Sequence, residues 1–157
     1  MKEMQIDNLM IELGRQCNMK CIHCLRGEME NKDISLKYVY QLLNSVASIN
    51  QIIFTGGEPL LYADKITKII DFIIKNNIKC YGFYMATNGK IYDEKLMQKF
   101  NEFTIYVSKL FGISYSEFLD GEQYNCLIDV SIDKYHDTIP DDNLLLYSLC
   151  RYCNVRG

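Results

Sequence analysis

The chain has 157 residues, a length typical of one domain, with 48% hydrophobic residues and a net charge of −3 at pH 7. A slightly acidic chain without a dense basic run is a poor electrostatic partner for nucleic acid, and no apolar run approaches the ~20 residues of a membrane span. The start of the sequence is polar and charged, unlike a secretory signal, so we expect a cytoplasmic protein with neither nucleic-acid nor membrane partners. Seven cysteines in such a chain favour metal binding or catalysis over a disulfide framework.

Apolar runs alternate with helical periodicities along the chain. The predicted strands cover residues 8–13, 51–55, 79–86 and 127–132. The predicted helices begin near Ser35, Asp64 and Asp93, and a short one covers residues 144–150. Residues 104–126 are harder to place: they fit a second helix broken at Gly112, followed by a turn at Asp120-Gly121. Strands that alternate with helices predict an α/β fold with about four parallel strands.

Three cysteines lie on one short loop after the first strand. Cys17, Cys21 and Cys24 have the spacing C-x3-C-x2-C. Iron–sulfur clusters are held by cysteine thiolates, commonly four, so three on one loop leave one iron of a cubane cluster open to another ligand. This pattern indicates chemistry at the cluster more than storage or electron relay.

A second motif follows the second strand. The run Gly56-Gly57-Glu58-Pro59 ends an apolar segment, and its two glycines allow the backbone to approach a ligand without a side-chain clash. Two roles remain open for Glu58, bonding a ligand amine or anchoring the loop, while Pro59 stiffens the exit. An ordinary strand-to-helix turn is the competing interpretation.

Polar residues also follow the third and fourth strands. Asn88 comes after strand three, and Ser131 and Asp133 alternate along strand four, so they point to one face. His136 follows at the end where barrel enzymes place their chemistry, either as a candidate general acid or base or as a loop residue satisfied by Asp137.

In this order and spacing, the motifs resemble those of the radical S-adenosylmethionine (radical SAM) superfamily over residues 8–137. The resemblance implies an incomplete (β/α) partial barrel of the radical SAM type, because the family core has six strands and only four are predicted here. Residues 1–137 would be a partial core, and residues 138–157 a C-terminal segment without a fifth or sixth strand. We expect a truncated piece of a longer enzyme rather than a reduced member completed by a partner.

The resemblance also implies an activity. Cys17, Cys21 and Cys24 would bind a [4Fe–4S] cluster, and Gly56, Gly57, Glu58 and Pro59 would bind SAM together with Asn88, Ser131 and Asp133. An electron donor would reduce the cluster, and cleavage of SAM would give a 5′-deoxyadenosyl radical that abstracts hydrogen from an unknown small molecule or peptide. The cofactor supplies this chemistry, and the protein supplies position and exclusion of water.

Other classes of function remain open. One alternative is a non-catalytic iron–sulfur protein derived from the fold, acting as a redox sensor or a subunit. Another is a zinc-stabilised interaction module, in which His23 joins the cysteines. The second pair, Cys150-Arg151-Tyr152-Cys153, fits half a zinc site, part of an auxiliary cluster or two ordinary thiols. Cys80 and Cys126 lie in apolar surroundings and are expected to be buried small hydrophobes.

Overall fold

The structure is a computed structural model that describes residues 4–121, 125–132 and 138–156. The strands in these ranges are β1 (Gln5–Glu12), β2 (Gly14–Arg15), β3 (Glu30–Asp33), β4 (Ser48–Thr55), β5 (Phe83–Thr87), β6 (Cys126–Ser131) and β7 (Cys153–Arg156). The helices are α1 (Leu36–Ser45), α2 (Ala63–Lys75), α3 (Glu94–Phe111), α4 (Tyr115–Asp120) and α5 (Asp141–Leu149). A 3-10 turn, Pro59–Tyr62, precedes α2.

Five strands form one sheet in the order β1-β4-β5-β6-β7, and every neighbouring pair is parallel. Parallel neighbours need crossover connections, and helices supply them between most of the strands. The α/β prediction is therefore confirmed. Because parallel strands end at the same edge, the loops after β1, β4 and β5 open towards one end of the sheet.

The core lies between the sheet and the helices. Phe83 of β5 packs against two rings of α3, with centroids 4.6 Å from Phe100 and 5.6 Å from Phe103. The apolar positions of α2 alternate at helical spacing, and Ile66, Ile69, Ile70 and Ile73 are fully buried. Burial of such side chains is the main stabilising term for the sheet.

Residues 104–126, which the sequence left without a clear assignment, contain the end of a long helix and one short helix. α3 runs without a break from Glu94 to Phe111, after an N-cap in which the Asp93 carboxylate accepts from the Leu96 amide at 2.9 Å. Gly112 ends it in the left-handed conformation with φ 71°, which glycine adopts at low cost. Ser114 and Glu117 then form a reciprocal capping box at the start of α4. Gly112 is therefore a helix end, and the second helix begins only after it.

The predicted absence of a fifth strand is wrong. β7 continues the sheet beyond β6, with Ile128 opposite Cys153 and Ser131 opposite Arg156. Its sequence, Cys-Asn-Val-Arg, is only four residues long and has no apolar run, and β7 lies at one edge of the sheet as β1 lies at the other. The boundary at residue 137 stays a prediction, although β7 extends the sheet that the earlier residues form and α5 packs against β7.

None of the helices in the described part of the chain is long and apolar enough to cross a membrane.

Candidate functional site

The cysteine loop leaves the sheet at the end of β1 and returns through β3. β2 and β3 pair antiparallel across its base, with Arg15 opposite Glu30. Within the loop, the Cys24 amide donates to the Cys21 carbonyl at 3.2 Å. Cys17 and Cys21 are half-buried and Cys24 is exposed. Sequence reasoning found the cysteines but not this short hairpin, whose strands are too short to show an alternating pattern.

A cavity of about 550 Å³ lies under the loop. The three cysteines and Gly57 are among the residues that line it, as are Met19 and Arg26. The cavity therefore joins the two motifs that the sequence singled out, at the carboxyl end of the sheet. This is the end at which parallel α/β sheets bind their ligands.

The donor set can be tested against the metal centres that the sequence suggests. Nowhere in the described ranges do three His, Cys, Asp or Glu side chains converge on a point where they would share one metal ion. Iron–sulfur clusters are held by cysteine thiolates, and three cysteines line this one cavity. The type of donor therefore fits a cubane cluster in which one iron has no cysteine ligand.

The Gly-Gly pair packs against the segment that leads into the cysteine loop. The Gly57 amide donates to the Gly14 carbonyl at 3.0 Å, and the Glu58 amide donates to the Gln16 carbonyl at 2.9 Å. A Cβ on Gly57 would lie 2.2 Å from the Gln16 carbonyl oxygen. The close approach that excludes a side chain is thus made by the protein's own backbone, one residue before Cys17.

Glu58 is buried, with 2% of its surface exposed, and its carboxylate accepts three hydrogen bonds from the protein. The donors are the Leu60 amide at 3.1 Å, the Thr87 hydroxyl at 2.7 Å and the Asn88 amide at 3.0 Å. Burial raises the pKa of this carboxyl, and the three hydrogen bonds oppose the rise. Of the two roles left open by the sequence, this geometry supports anchoring: Glu58 ties the end of β4 to the end of β5. Pro59, also buried, begins the 3-10 turn.

Asn88 connects the end of β5 to the cysteine loop. Its side-chain amide donates to the Asn18 side chain at 2.7 Å and lies 4.0 Å from the Cys17 sulfur. Its carbonyl oxygen accepts from the Lys90 amide at 3.1 Å. The Asn88 side chain thus bonds both to the cysteine loop and to the residues that follow β5. These contacts position Cys17 relative to the sheet.

The remaining predicted residues lie on and after β6. Ser131 is half-buried at the end of β6 and is not among the residues that line the cavity within the described part of the chain. Asp133 and His136 lie outside the described residues. Their assignment to the site stays a prediction.

Sequence reasoning missed a clasp of charged side chains at the base of the cysteine loop. The Glu12 carboxylate accepts from Arg15 at 2.7 Å and from Arg26 at 3.0 Å. The same Arg26 also donates to the Thr55 hydroxyl, just before the Gly-Gly pair, and Arg15 pairs with Glu30 at 2.7 Å. The hydrogen bond from Arg15 lowers the pKa of Glu12 below its ordinary value. The only signal in the sequence is that one arginine stands two residues before Cys17 and another two residues after Cys24.

The chain matches one protein-family model. The family model described as the radical SAM superfamily matches residues 11–113, which is more than half of the chain. The chain therefore belongs to the radical SAM superfamily, and the resemblance stated from its motifs is confirmed.

Individual relatives and structures agree with this placement. The chain is 32% identical over 125 residues to an uncharacterised protein of Methanocaldococcus jannaschii, covering 77% of this chain and 41% of that protein. It is 42% identical over 71 residues to a GTP 3′,8-cyclase of Clostridium acetobutylicum, covering 41% of this chain and 22% of the cyclase. A solved structure described as native anSMEcpe with bound AdoMet and the Cp18Cys peptide matches with a TM-score of 0.63 at 19% identity, over 96% of this chain and 42% of that one.

These matches confirm a partial radical SAM barrel with a parallel sheet, now with five strands. The chain spans less than half the length of each of these proteins.

Proposed function

We propose that this chain binds a [4Fe–4S] cluster through Cys17, Cys21 and Cys24 and binds SAM beside it, as the radical-generating part of an enzyme. When bound, the cluster supplies the electron that cleaves SAM into methionine and a 5′-deoxyadenosyl radical, which abstracts hydrogen from a substrate. The observation that carries the proposal is that the three thiols and Gly57 line one cavity of about 550 Å³.

The protein's own residues would hold this arrangement in place. Glu58 ties the Gly-Gly pair to the end of β5, and Asn88 ties the end of β5 to the cysteine loop. Gly57 contributes its backbone to the cavity wall, and because it has no side chain this backbone can lie against Gln16 at the start of the cysteine loop. Asn88, Ser131 and Asp133 stay candidates for polar contacts to SAM, and His136 stays a candidate acid or base.

The proposed class of substrate rests on the names of the relatives and on the ligands of a similar solved structure. Some relatives are GTP 3′,8-cyclases, and a neighbouring structure holds a peptide with AdoMet. We therefore propose a small molecule or a peptide as substrate and an electron donor as partner.

The test is anaerobic reconstitution of the chain with iron and sulfide, followed by reduction and addition of SAM. We expect iron–sulfur charge-transfer absorption, an electron paramagnetic resonance signal of the reduced cluster that changes on SAM addition, and release of 5′-deoxyadenosine. Alanine substitution of any one of the three loop cysteines should remove the signal. Cys150→Ala and Cys153→Ala are the matched controls, because both are half-buried thiols outside the loop, and they should keep it.

Two results would contradict the proposal. A chain that binds cluster but neither responds to SAM nor releases deoxyadenosine fits the alternative of a non-catalytic iron–sulfur or redox-sensing protein. A cluster that survives Cys21→Ala but disappears in Cys150→Ala would show that the metal ligands are assigned to the wrong cysteines.

A further inference from the structure

Cys150 and Cys153 lie away from the cavity described above, at the other end of the chain. Cys150 caps the C-terminus of α5, and Cys153 is the first residue of β7. The Cys153 amide donates to the Cys150 carbonyl at 3.2 Å, so the four residues form a tight turn. This turn brings the two sulfur atoms to 2.7 Å, with the Cys153 thiol donating to the Cys150 sulfur.

The two sulfur atoms are in direct contact with each other. In the described ranges, no further His, Cys, Asp or Glu side chain joins the pair to make a ligand group. The contact between the two sulfurs is the observation that carries the interpretation as a dithiol pair.

The two cysteines differ in their access to a cavity. Cys150 lines a cavity of about 530 Å³, together with Tyr92, Tyr115 and Arg151, whereas Cys153 is not part of its wall. Both are half-buried, unlike Cys80 and Cys126, which are 0% and 1% exposed. An incoming reagent can therefore reach Cys150 from the cavity, with Cys153 immediately behind it.

We propose that Cys150 and Cys153 form a thiol–disulfide exchange site that reacts with a low-molecular-weight disulfide of the glutathione class. The Cys150 thiolate attacks one sulfur of the disulfide, forming a mixed disulfide and releasing the first thiol. The Cys153 thiolate then attacks the Cys150 sulfur, which breaks the mixed bond and releases the second thiol. Two protein thiols are oxidised, one disulfide is reduced, and the two protons leave on the two released thiols.

The pKa shifts of the two thiols agree with an attack by Cys150 first and by Cys153 second. The hydrogen bond from Cys153 lowers the pKa of Cys150, and the same contact raises the pKa of Cys153. A thiol with a lowered pKa carries more thiolate, which is the attacking species. Burial raises the pKa of Cys80 and of Cys126 to about 12, so those thiols are poor nucleophiles.

The experiment treats the reduced 157-residue chain with glutathione disulfide under anaerobic conditions, quenches with acid and maps the products on peptides by mass spectrometry. In the parent, residues 150–153 should lose two hydrogens and keep no glutathione. Cys153→Ser should trap one glutathione on Cys150, and Cys150→Ser should form an adduct on Cys153 at least about tenfold more slowly. Circular dichroism confirms that the serine variants are folded, and mapping by peptide separates this pair from the cysteine loop.

Three outcomes would overturn the proposal. The first is that folded parent keeps both thiols reduced in excess glutathione disulfide. The second is that Cys153 is trapped as fast as Cys150. The third is that the pair binds zinc or iron with an affinity lost in both serine variants. None of these results depends on whether the chain cleaves SAM, so the outcome is independent of the function proposed above.

Discussion

At the scale of single residues, Glu58 shows how a buried charge organises the site. Its carboxylate is withdrawn from water, which is costly unless hydrogen bonds compensate, and three donors from two different loops do so. Because those donors come from the end of β5 as well as from the 3-10 turn, the same contacts that satisfy Glu58 hold two loops together.

We expect Glu58→Gln to destabilise the protein by about 1–3 kcal/mol, the cost of leaving a buried polar group unsatisfied. An amide nitrogen in place of one carboxylate oxygen would face another donor, either the Asn88 amide or the pair formed by Leu60 and Thr87. Urea unfolding followed by circular dichroism measures the change. Glu28→Gln is the control, because Glu28 is exposed, and it should change the free energy of unfolding little.

The same pair of proteins gives a pH dependence with a definite sign. Burial raises the pKa of Glu58 in the folded protein, so the folded state holds this proton to higher pH than the unfolded state. The contribution of Glu58 to stability is therefore complete below the ordinary pKa of a glutamic acid and is lost as pH rises through the raised value. The stability difference between parent and Glu58→Gln should shrink over that window, and a difference that grows with pH would contradict the sign.

Gly57 carries a second expectation at this scale. In Gly57→Ala the new methyl group would lie 2.2 Å from the Gln16 carbonyl, so the segment entering the cysteine loop must move. We expect cluster content after reconstitution to fall together with SAM binding, measured by iron analysis and calorimetry. Gly121→Ala is the matched control, since a Cβ there meets its nearest atoms at an ordinary 3.5 Å. Full cluster content in Gly57→Ala would show that the loop tolerates the shift.

At the scale of elements, the features that could be predicted are those that leave a local pattern in the sequence, either a periodicity or a motif. Four parallel strands, the helix start near Asp93 and the two motifs could be predicted because each depends on local residue types. β7 was not, since an outer strand of four residues needs no apolar run and its pairing with β6 is a long-range contact. Nor was the clasp at Glu12, which depends on the fold bringing Arg15 and Arg26 to one carboxylate across the loop.

That clasp leads to an expectation about the loop as a unit. Its ion pairs are partly exposed, so Glu12→Ala should change global stability little, because exposed pairs contribute weakly and are screened by salt. In this variant, however, Arg15 before the cysteine loop and Arg26 near its end both lose the carboxylate that they share. We expect faster amide hydrogen exchange across residues 17–27 and lower cluster content in Glu12→Ala.

Partial recovery in Glu12→Gln would indicate that hydrogen bonding, and not only charge, holds the loop. Glu94→Ala, which changes an acidic side chain on α3, should leave the exchange of residues 17–27 as in the parent. Unchanged exchange in Glu12→Ala would show that the β2–β3 pairing alone closes the loop.

At the scale of the whole molecule, two apolar surfaces lie exposed at opposite parts of the chain. One is on α5, where Leu145 and Leu149 are 59% and 71% exposed beside the outer strand β7. The other is on the cysteine loop, where Ile22 and Leu25 are almost fully exposed. β7 pairs with β6 on one side, and the unpaired backbone of an outer strand invites association.

We expect the 157-residue chain to self-associate through α5 and β7, with a sedimentation coefficient that rises with protein concentration. Leu145→Glu places a charge on the exposed face of α5 without disturbing the buried core, so it should shift the chain towards monomer. Leu25→Glu is the matched change on the cysteine loop and should leave association as in the parent. If Leu25→Glu abolishes association and Leu145→Glu does not, the cysteine loop is the surface through which the chain associates. A parent that stays a monomer at every concentration would contradict the expected association through α5 and β7.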